Sequence, residues 1–261
     1  MKKITKKCVL LFSTLVLIVT FASFSYAIKE ENVIGMWLLE DGKGNEVLDS
    51  SGNGNNGKVL GGLKWGKGKF GSSIDFVGGD SVEISNQDAF VFDDNKSFSV
   101  VTWINFKSAQ DWNRIVRGRN PGPWQGGNTG WELQTQGVSI HWSLDDVAKN
   151  HVRNTFDNAG TGDWRHTVMI VDREKKKLIS YIDGGTEKVV DIANIKSITS
   201  GTPVIFGGGF VGSIDEVAIF NIAITQDDVK NIMDKGLKNA IGAKSVDPLS
   251  KLSITWGNIK K

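Results

Sequence analysis

Cysteine is almost missing from this chain. Of 261 residues only Cys8 carries a thiol, and it lies in a segment expected to be removed. An exported chain without cysteine has no disulfide, no thiol nucleophile and no cysteine metal site, so its stability rests on a packed core. Catalytic signatures are missing too. There is no HExxH, no GxSxG, and no pair of histidines at ligand spacing among His141, His151 and His166. His166, in DWRHTVMIVD, comes with neither nucleophile nor acid and reads as a packing residue. A retaining glycosidase holds two carboxylates about 5–5.5 Å apart, and an ExDxE-like strand would be its cue. Here Glu132 stands alone in WELQ, while Asp215 and Glu216 are adjacent and face opposite ways. GNGNNG has the composition of a phosphate loop but lacks the Gly-Lys-Ser/Thr ending, and no helical pattern follows it.

Charge of one sign is missing as well. The chain has 31 basic and 29 acidic residues; the leader would take four lysines and no acid, leaving 27 against 29, near −2. That balance gives no argument for nucleic acid. The leader is residues 1–27: basic MKKITKK, the apolar run CVLLFSTLVLIVTFASF, and SYA at the positions a signal peptidase reads. The alternative is an uncleaved anchor, since the run is just long enough to span a bilayer. With SYA favouring removal, the expectation is a secreted, periplasmic or extracellular protein with no membrane span after cleavage.

What remains is rich in short strands separated by glycine- and asparagine-rich turns, among them VIGMWLL, SSIDFVG, SFSVVTWINF, GWELQTQ, GVSIHWSL, WRHTVMIVD and GSIDEVAIFN. Val138, Ile140, Trp142 and Leu144 share one face, and Ser139, His141 and Ser143 the other. Phe98 to Phe106 is apolar on both faces and is expected to lie deep. YIDGG around Asp183 and Gly184 signals a hairpin turn. Many strands without intervening helices predict an all-β, two-sheet antiparallel jellyroll sandwich over residues 28–239. One short helix is expected near its end: Thr225 and Asp228 resemble a capping box, Val229, Ile232 and Met233 form the stripe, and Gly236 ends it. Residues 240–261 form a tail, either a docked strand (Leu252, Ile254, Trp256) or a partly ordered appendage.

Nine tryptophans are many for this length. Trp37, Trp103 and Trp164 sit in apolar strands and read as core. Trp112, Trp124, Trp131 and Trp142 cluster with Arg114, Arg117, Arg119, Gln125, Asn128 and Gln134 between them. Flat aromatic faces beside amides and guanidinium groups suit sugar rings, which makes Trp112, Arg114, Arg117, Trp124, Trp131 and Trp142 candidate ligand contacts. The alternative is that Trp131 and Trp142 fill the core while Trp112 and Trp124 cap it. Three turns, DSSGNGNNG, GGDSVEIS and GSIDEVAIF, place Asp49, Asp80 and Asp215 beside glycines and carbonyls. Such oxygen-rich loops suit calcium, or merely bond their own backbone.

In their order, GMWLLEDGKGNEVLDSSGNGNNG, FGSSIDFVGGDSVEIS, SFSVVTWINF, DWRHTVMIVDREKKKLISYIDG and GSIDEVAIFNIAITQDDVKNIMDKGL resemble the laminin-G-like jellyroll family of concanavalin A-like sandwiches, over residues 30 to 237. The resemblance implies a non-catalytic module for glycans or extracellular protein ligands, often with calcium at the loop edge. By position it carries Asp80 and Asp215 over as metal candidates, with Asp49, Asn53 and Asn55 as further ones. The cysteine pair of some relatives is missing. Polysaccharide hydrolases and lyases also use this fold, and a structural or adhesive surface protein is a third alternative.

Overall fold

The computed structural model describes residues 28–119, 128–160 and 162–241. The expected leader, Trp124 and the tail beyond 241 lie outside them. Among the described residues sixteen strands are formed: β1 (Val33–Trp37), β2 (Glu46–Val47), β3 (Gly57–Leu60), β4 (Lys64–Lys67), β5 (Ser72–Val77), β6 (Ser81–Ile84), β7 (Phe98–Asn105) and β8 (Gln110–Arg119) in the first half. The second half supplies β9 (Gly130–Gly137), β10 (Ser139–Asp145), β11 (His151–Phe156), β12 (Arg165–Asp172), β13 (Lys177–Ile182), β14 (Lys188–Asp191), β15 (Val204–Gly207) and β16 (Val211–Phe220), then helix α1 (Gln226–Ile241).

They build two antiparallel sheets. The first runs β14-β13-β12-β7-β16-β5-β4, the second β11-β10-β9-β8-β15-β6-β3-β2. Both β5 and β1 pair with β16, at successive stretches of it: residues 211–214 face β5 and residues 217–220 face β1. The doubly apolar β7 lies between β12 and β16, with seven of its eight residues buried, as its pattern requires. Between the sheets lies the core, with Trp37, Phe98, Trp131, Trp142, Phe206 and Phe210. A smaller cluster lies on the other face of the first sheet, where Val101, Val168 and Phe220 meet Val229, Ile232 and Leu237 of α1.

Local chemistry sets the turns. Asp183 and Gly184 both take positive φ (50° and 61°) and Gly185 N–H donates to the Ile182 carbonyl at 3.0 Å, the mirror-image turn that suits strand twist. Helix α1 opens on the expected capping box: Asp228 N–H donates to Thr225 Oγ1 (3.2 Å) and Thr225 N–H to Asp228 Oδ2 (2.9 Å). Gly236 breaks the helix at φ 74° and ψ 161° but does not end it, since helical residues resume to Ile241. Two tryptophans differ from expectation. Trp103 is buried outside the inter-sheet core, beneath Phe70 and Lys69, and Trp164 is half-buried just before β12.

Candidate functional site

The outer face of β8–β11 gathers more buried polar groups than an outward face ordinarily holds. Strand alternation explains which residues reach it. Paired positions Leu144–Trp131 and Trp142–Leu133 point into the core, so Ser143–Glu132 and His141–Gln134 point outward. This corrects the expectation for Trp131 and Trp142 as ligand contacts. Both are fully buried, their rings 6.4 Å apart, and Trp142 Nε1 donates to Thr167 Oγ1 of the opposite sheet at 2.7 Å.

Arg114 and Arg117 lie on the outward face, opposite Gln134 and Glu132 respectively. Trp112 joins them through a backbone irregularity: the β8–β9 register shifts between Asp111 and Arg114, and Trp112 takes φ 54°. A bulge of this kind re-aims a side chain. Here it lays the indole 5.9 Å from the His141 ring at a 29° interplanar angle, with 39% of the residue exposed.

The same outward face carries an ion-pair network. Glu132, with no exposure, accepts from Arg119 Nη1 through Oε1 and from Arg114 Nε through Oε2 (3.2 Å). Arg119 Nη1 also stands 3.0 Å from Asp145 Oδ2, and His151 Nδ1 lies 3.1 Å from Asp145 Oδ1. Both acids that meet here are held as counter-ions of one guanidinium. Around them, hydrogen-bonding capacity is left open: both amide atoms of Gln134, Ser143 Oγ and His141 Nε2 are buried without a partner among the described residues. Burial, then the Arg153 charge, pushes His141 down to about 4, so the ring is neutral near pH 7. Of these residues Glu132, Arg119, Gln134, His141, Ser143 and Asp145 escaped selection as ligand contacts, although the positions alternating with Trp131, Leu133 and Trp142 were the signal.

The oxygen-rich turns resolve differently. Asp49 Oδ1 accepts from Met36 N (3.0 Å), Ser51 N (2.9 Å) and Ser51 Oγ (2.6 Å), and Oδ2 from Asn55 N (2.9 Å). Asn55 accepts Asn86 Nδ2 on its side chain and Trp37 Nε1 on its carbonyl, and Asn53 Nδ2 donates to the carbonyls of Val33 and Ile34. This loop is clamped to β1 by its own side chains. Asp80 Oδ1 takes Val77 N–H and Asp215 Oδ2 takes Phe70 N–H, both at 2.9 Å. Each keeps one buried oxygen without a partner, yet no group of three His, Cys, Asp or Glu among the described residues could hold a metal. Asp49 thus has both oxygens engaged by donors of its own turn and of β1, whereas Asp80 and Asp215 each bring a single open oxygen toward the six to eight that calcium takes.

Comparison with known proteins follows the same architecture. The binding domain of Paraclostridial Mosquitocidal Protein 1 superposes with a TM-score of 0.65 at 18% identity, over 78% of this chain and 52% of that one. The ligand-binding domain of botulinum neurotoxin serotype D in complex with N-acetylneuraminic acid gives 0.59 at 18%, over 79% and 51%. At such identities these structures speak for the fold alone. A curated relative, the non-toxic nonhemagglutinin of Paraclostridium bifermentans, is 27% identical over 124 residues, 45% of this chain and 11% of that protein. The chain thus spans about half the length of the matched structures and a small part of the curated relative. The laminin-G-like resemblance holds at the level of a two-sheet antiparallel sandwich, and the family model that matches, over residues 44–229, is described as Clostridium neurotoxin, N-terminal receptor binding. With most of its sandwich inside that match, the chain belongs to the Clostridium neurotoxin N-terminal receptor-binding family.

Proposed function

We propose that this chain is a secreted, laminin-G-like binding module that holds a carbohydrate or another cell-surface ligand on the outer face of β8–β11, without chemistry on it. One observation carries the reading. Trp112, two-fifths exposed, lies against the His141 ring on the face that also carries Gln134 and Ser143, and among the described residues His141 Nε2, Ser143 Oγ and both amide atoms of Gln134 are buried without a partner. Buried polar groups left open are costly unless something meets them, and an exposed indole over donors and acceptors is the combination that a sugar ring meets on its face and rim. Membership in a receptor-binding family supports the reading. The serotype D complex supports glycans as the class to test, and it supplies no position, because the chain covers half of that protein. Arg114 supplies a further donor at the rim, and Trp124 is retained as a contact from sequence alone. The leader at residues 1–27 is the basis for secretion.

A glycan array with the full chain and with Trp112→Ala tests this. The variant is expected to lose about 1–3 kcal/mol, the cost of removing one stacked ring, while keeping the wild-type melting temperature. A hydrolase has one observation in its favour, the meeting of Glu132 and Asp145 at Arg119. Reducing-sugar release from a polysaccharide panel, lost in Glu132→Gln, would replace binding by hydrolysis.

A further inference from the structure

The turn after β2 holds both Asn-Gly pairs of the sequence, Asn53–Gly54 and Asn56–Gly57. Asparagine is a thermolabile residue, and most so before glycine, where no Cβ keeps the next backbone nitrogen from swinging onto the side-chain amide. By sequence the two pairs are equivalent. The fold makes them different.

Asn56–Gly57 is held on both sides. Asn56 Oδ1 accepts from Asp49 N–H at 3.0 Å, and its Nδ2 donates to Glu46 Oε1 at 2.8 Å. Gly57 is a buried residue of β3, paired with Val47, and a Cβ there would lie 2.4 Å from the Val82 side chain. Asn53–Gly54 is open. Both residues are exposed, Gly54 takes φ 78° with nothing within 4 Å of an added Cβ, and its N–H meets no acceptor among the described residues. Asn53 also lines a cavity of about 400 Å³ with Lys29, Glu30, Glu31 and Val33, so water reaches it. Its Nδ2 is what ties it down, donating to the carbonyls of Val33 (2.7 Å) and Ile34 (3.2 Å).

We infer that Asn53 is a site of spontaneous covalent modification, deamidation through Gly54, which releases this turn from β1. The inference stands apart from the proposed binding face. The reaction is a hydrolysis and needs only water. Hydroxide takes the Gly54 amide proton and the nitrogen attacks Asn53 Cγ. The new N–Cγ bond closes a cyclic imide as the Cγ–Nδ2 bond breaks, and Nδ2 leaves as ammonia with a proton from water. A second water then opens the imide. Cleavage of N–Cγ leaves aspartate; cleavage of the backbone C–N bond leaves isoaspartate, with the chain rerouted through Cβ and Cγ. Either product has lost the donor that met Val33 and Ile34 and sets a carboxylate against their carbonyl oxygens, in a cavity that already holds Glu30 and Glu31 beside Lys29. Isoaspartate also lengthens the backbone just before Asn55, whose N–H donates to Asp49 Oδ2 at 2.9 Å and whose carbonyl receives Trp37 Nε1 at 2.8 Å. A change at one exposed residue is thereby passed to the buried core.

Ageing the full chain in water enriched in heavy oxygen, followed by peptide mass spectrometry with fragment ions to place the label, tests it. In the folded chain Asn53 should take up solvent oxygen about tenfold faster or more than Asn56. In urea the two should react alike, since their sequence context is the same. The rate at Asn53 should rise with pH, because the amide nitrogen must lose its proton, and the aged chain should become a methyl acceptor for an isoaspartate methyltransferase. Asn53→Gln, whose longer side chain closes an imide far more slowly, should stay unlabelled at that position. Equal rates at Asn53 and Asn56 in the folded chain, or labelling of Asn53 only in urea, overturns the site. The consequence has its own arm. Asn53→Asp, which is the direct product, should melt about 2–4 °C below the wild type, and a melting temperature equal to the wild type would overturn the release from β1.

Discussion

Asp49 does the work of a small scaffold. Its two oxygens accept four hydrogen bonds, three from Ser51 and Asn55 within the turn after β2 and one from Met36 N of β1. Charge-assisted bonds of this kind are the strong ones, and losing the acceptor strands buried N–H groups. Asp49→Ala should therefore lower stability by about 3 kcal/mol, read from urea denaturation. Treatment with a chelator should leave the melting temperature where it was, because the same oxygens are engaged by N–H groups. A chelator-dependent drop would restore calcium to this turn. The sequence around Asp49 is compatible with both outcomes, since Asp and Asn serve metals and turns alike. Only the partners of each oxygen distinguish them.

Among elements, α1 depends on a single backbone exception. Gly236 sits at φ 74° and ψ 161°, where a Cβ would lie 2.9 Å from Glu216 Oε1 and 3.2 Å from Oε2. The next residue, Leu237, donates its N–H to Glu216 Oε2 at 2.9 Å. Gly236→Ala should cost about 1–3 kcal/mol in a melting experiment, the price of a strained conformation together with displacement of that carboxyl. The strands were legible because alternation and turn residues are local signals: YIDGG and the Thr225–Asp228 box both form as read. The proposed binding face was legible only in part. Trp131 and Trp142 drew attention by residue type, but their neighbours Glu132, Gln134, His141 and Ser143 occupy the outward positions of the same strands. What places Trp112 over His141 is a bulge, and a bulge leaves little trace in a chain with no special turn residue at that point.

For the whole molecule, stability should depend on pH with a definite sign. Burial pushes Asp215 up to about 7; burial, then the charges of Asp215 and Glu40, pushes Glu216 up to about 8. The folded chain thus keeps protons that the unfolded chain has released, and stability falls as pH rises toward 8. Burial pushes His141 down to about 4 and His166 to about 3 from an ordinary 6.5, so their contribution is lost as pH falls below 6.5. The two effects oppose each other in acid. Between pH 6.5 and 8.5 the carboxyls act alone, and stability should drop by about 2 kcal/mol. Glu216→Gln, which keeps an acceptor for Leu237, should flatten that slope; a melting temperature that climbs over the same interval would contradict the assignment.

We place the ligand on the outer face of β8–β11. The most direct test of that placement is the affinity of wild type and Trp112→Ala for the tightest-binding glycan of the array, measured side by side by calorimetry on chains of matched melting temperature. The structure predicts a weakening of about tenfold or more for the variant. Equal affinities would place the ligand elsewhere on the molecule.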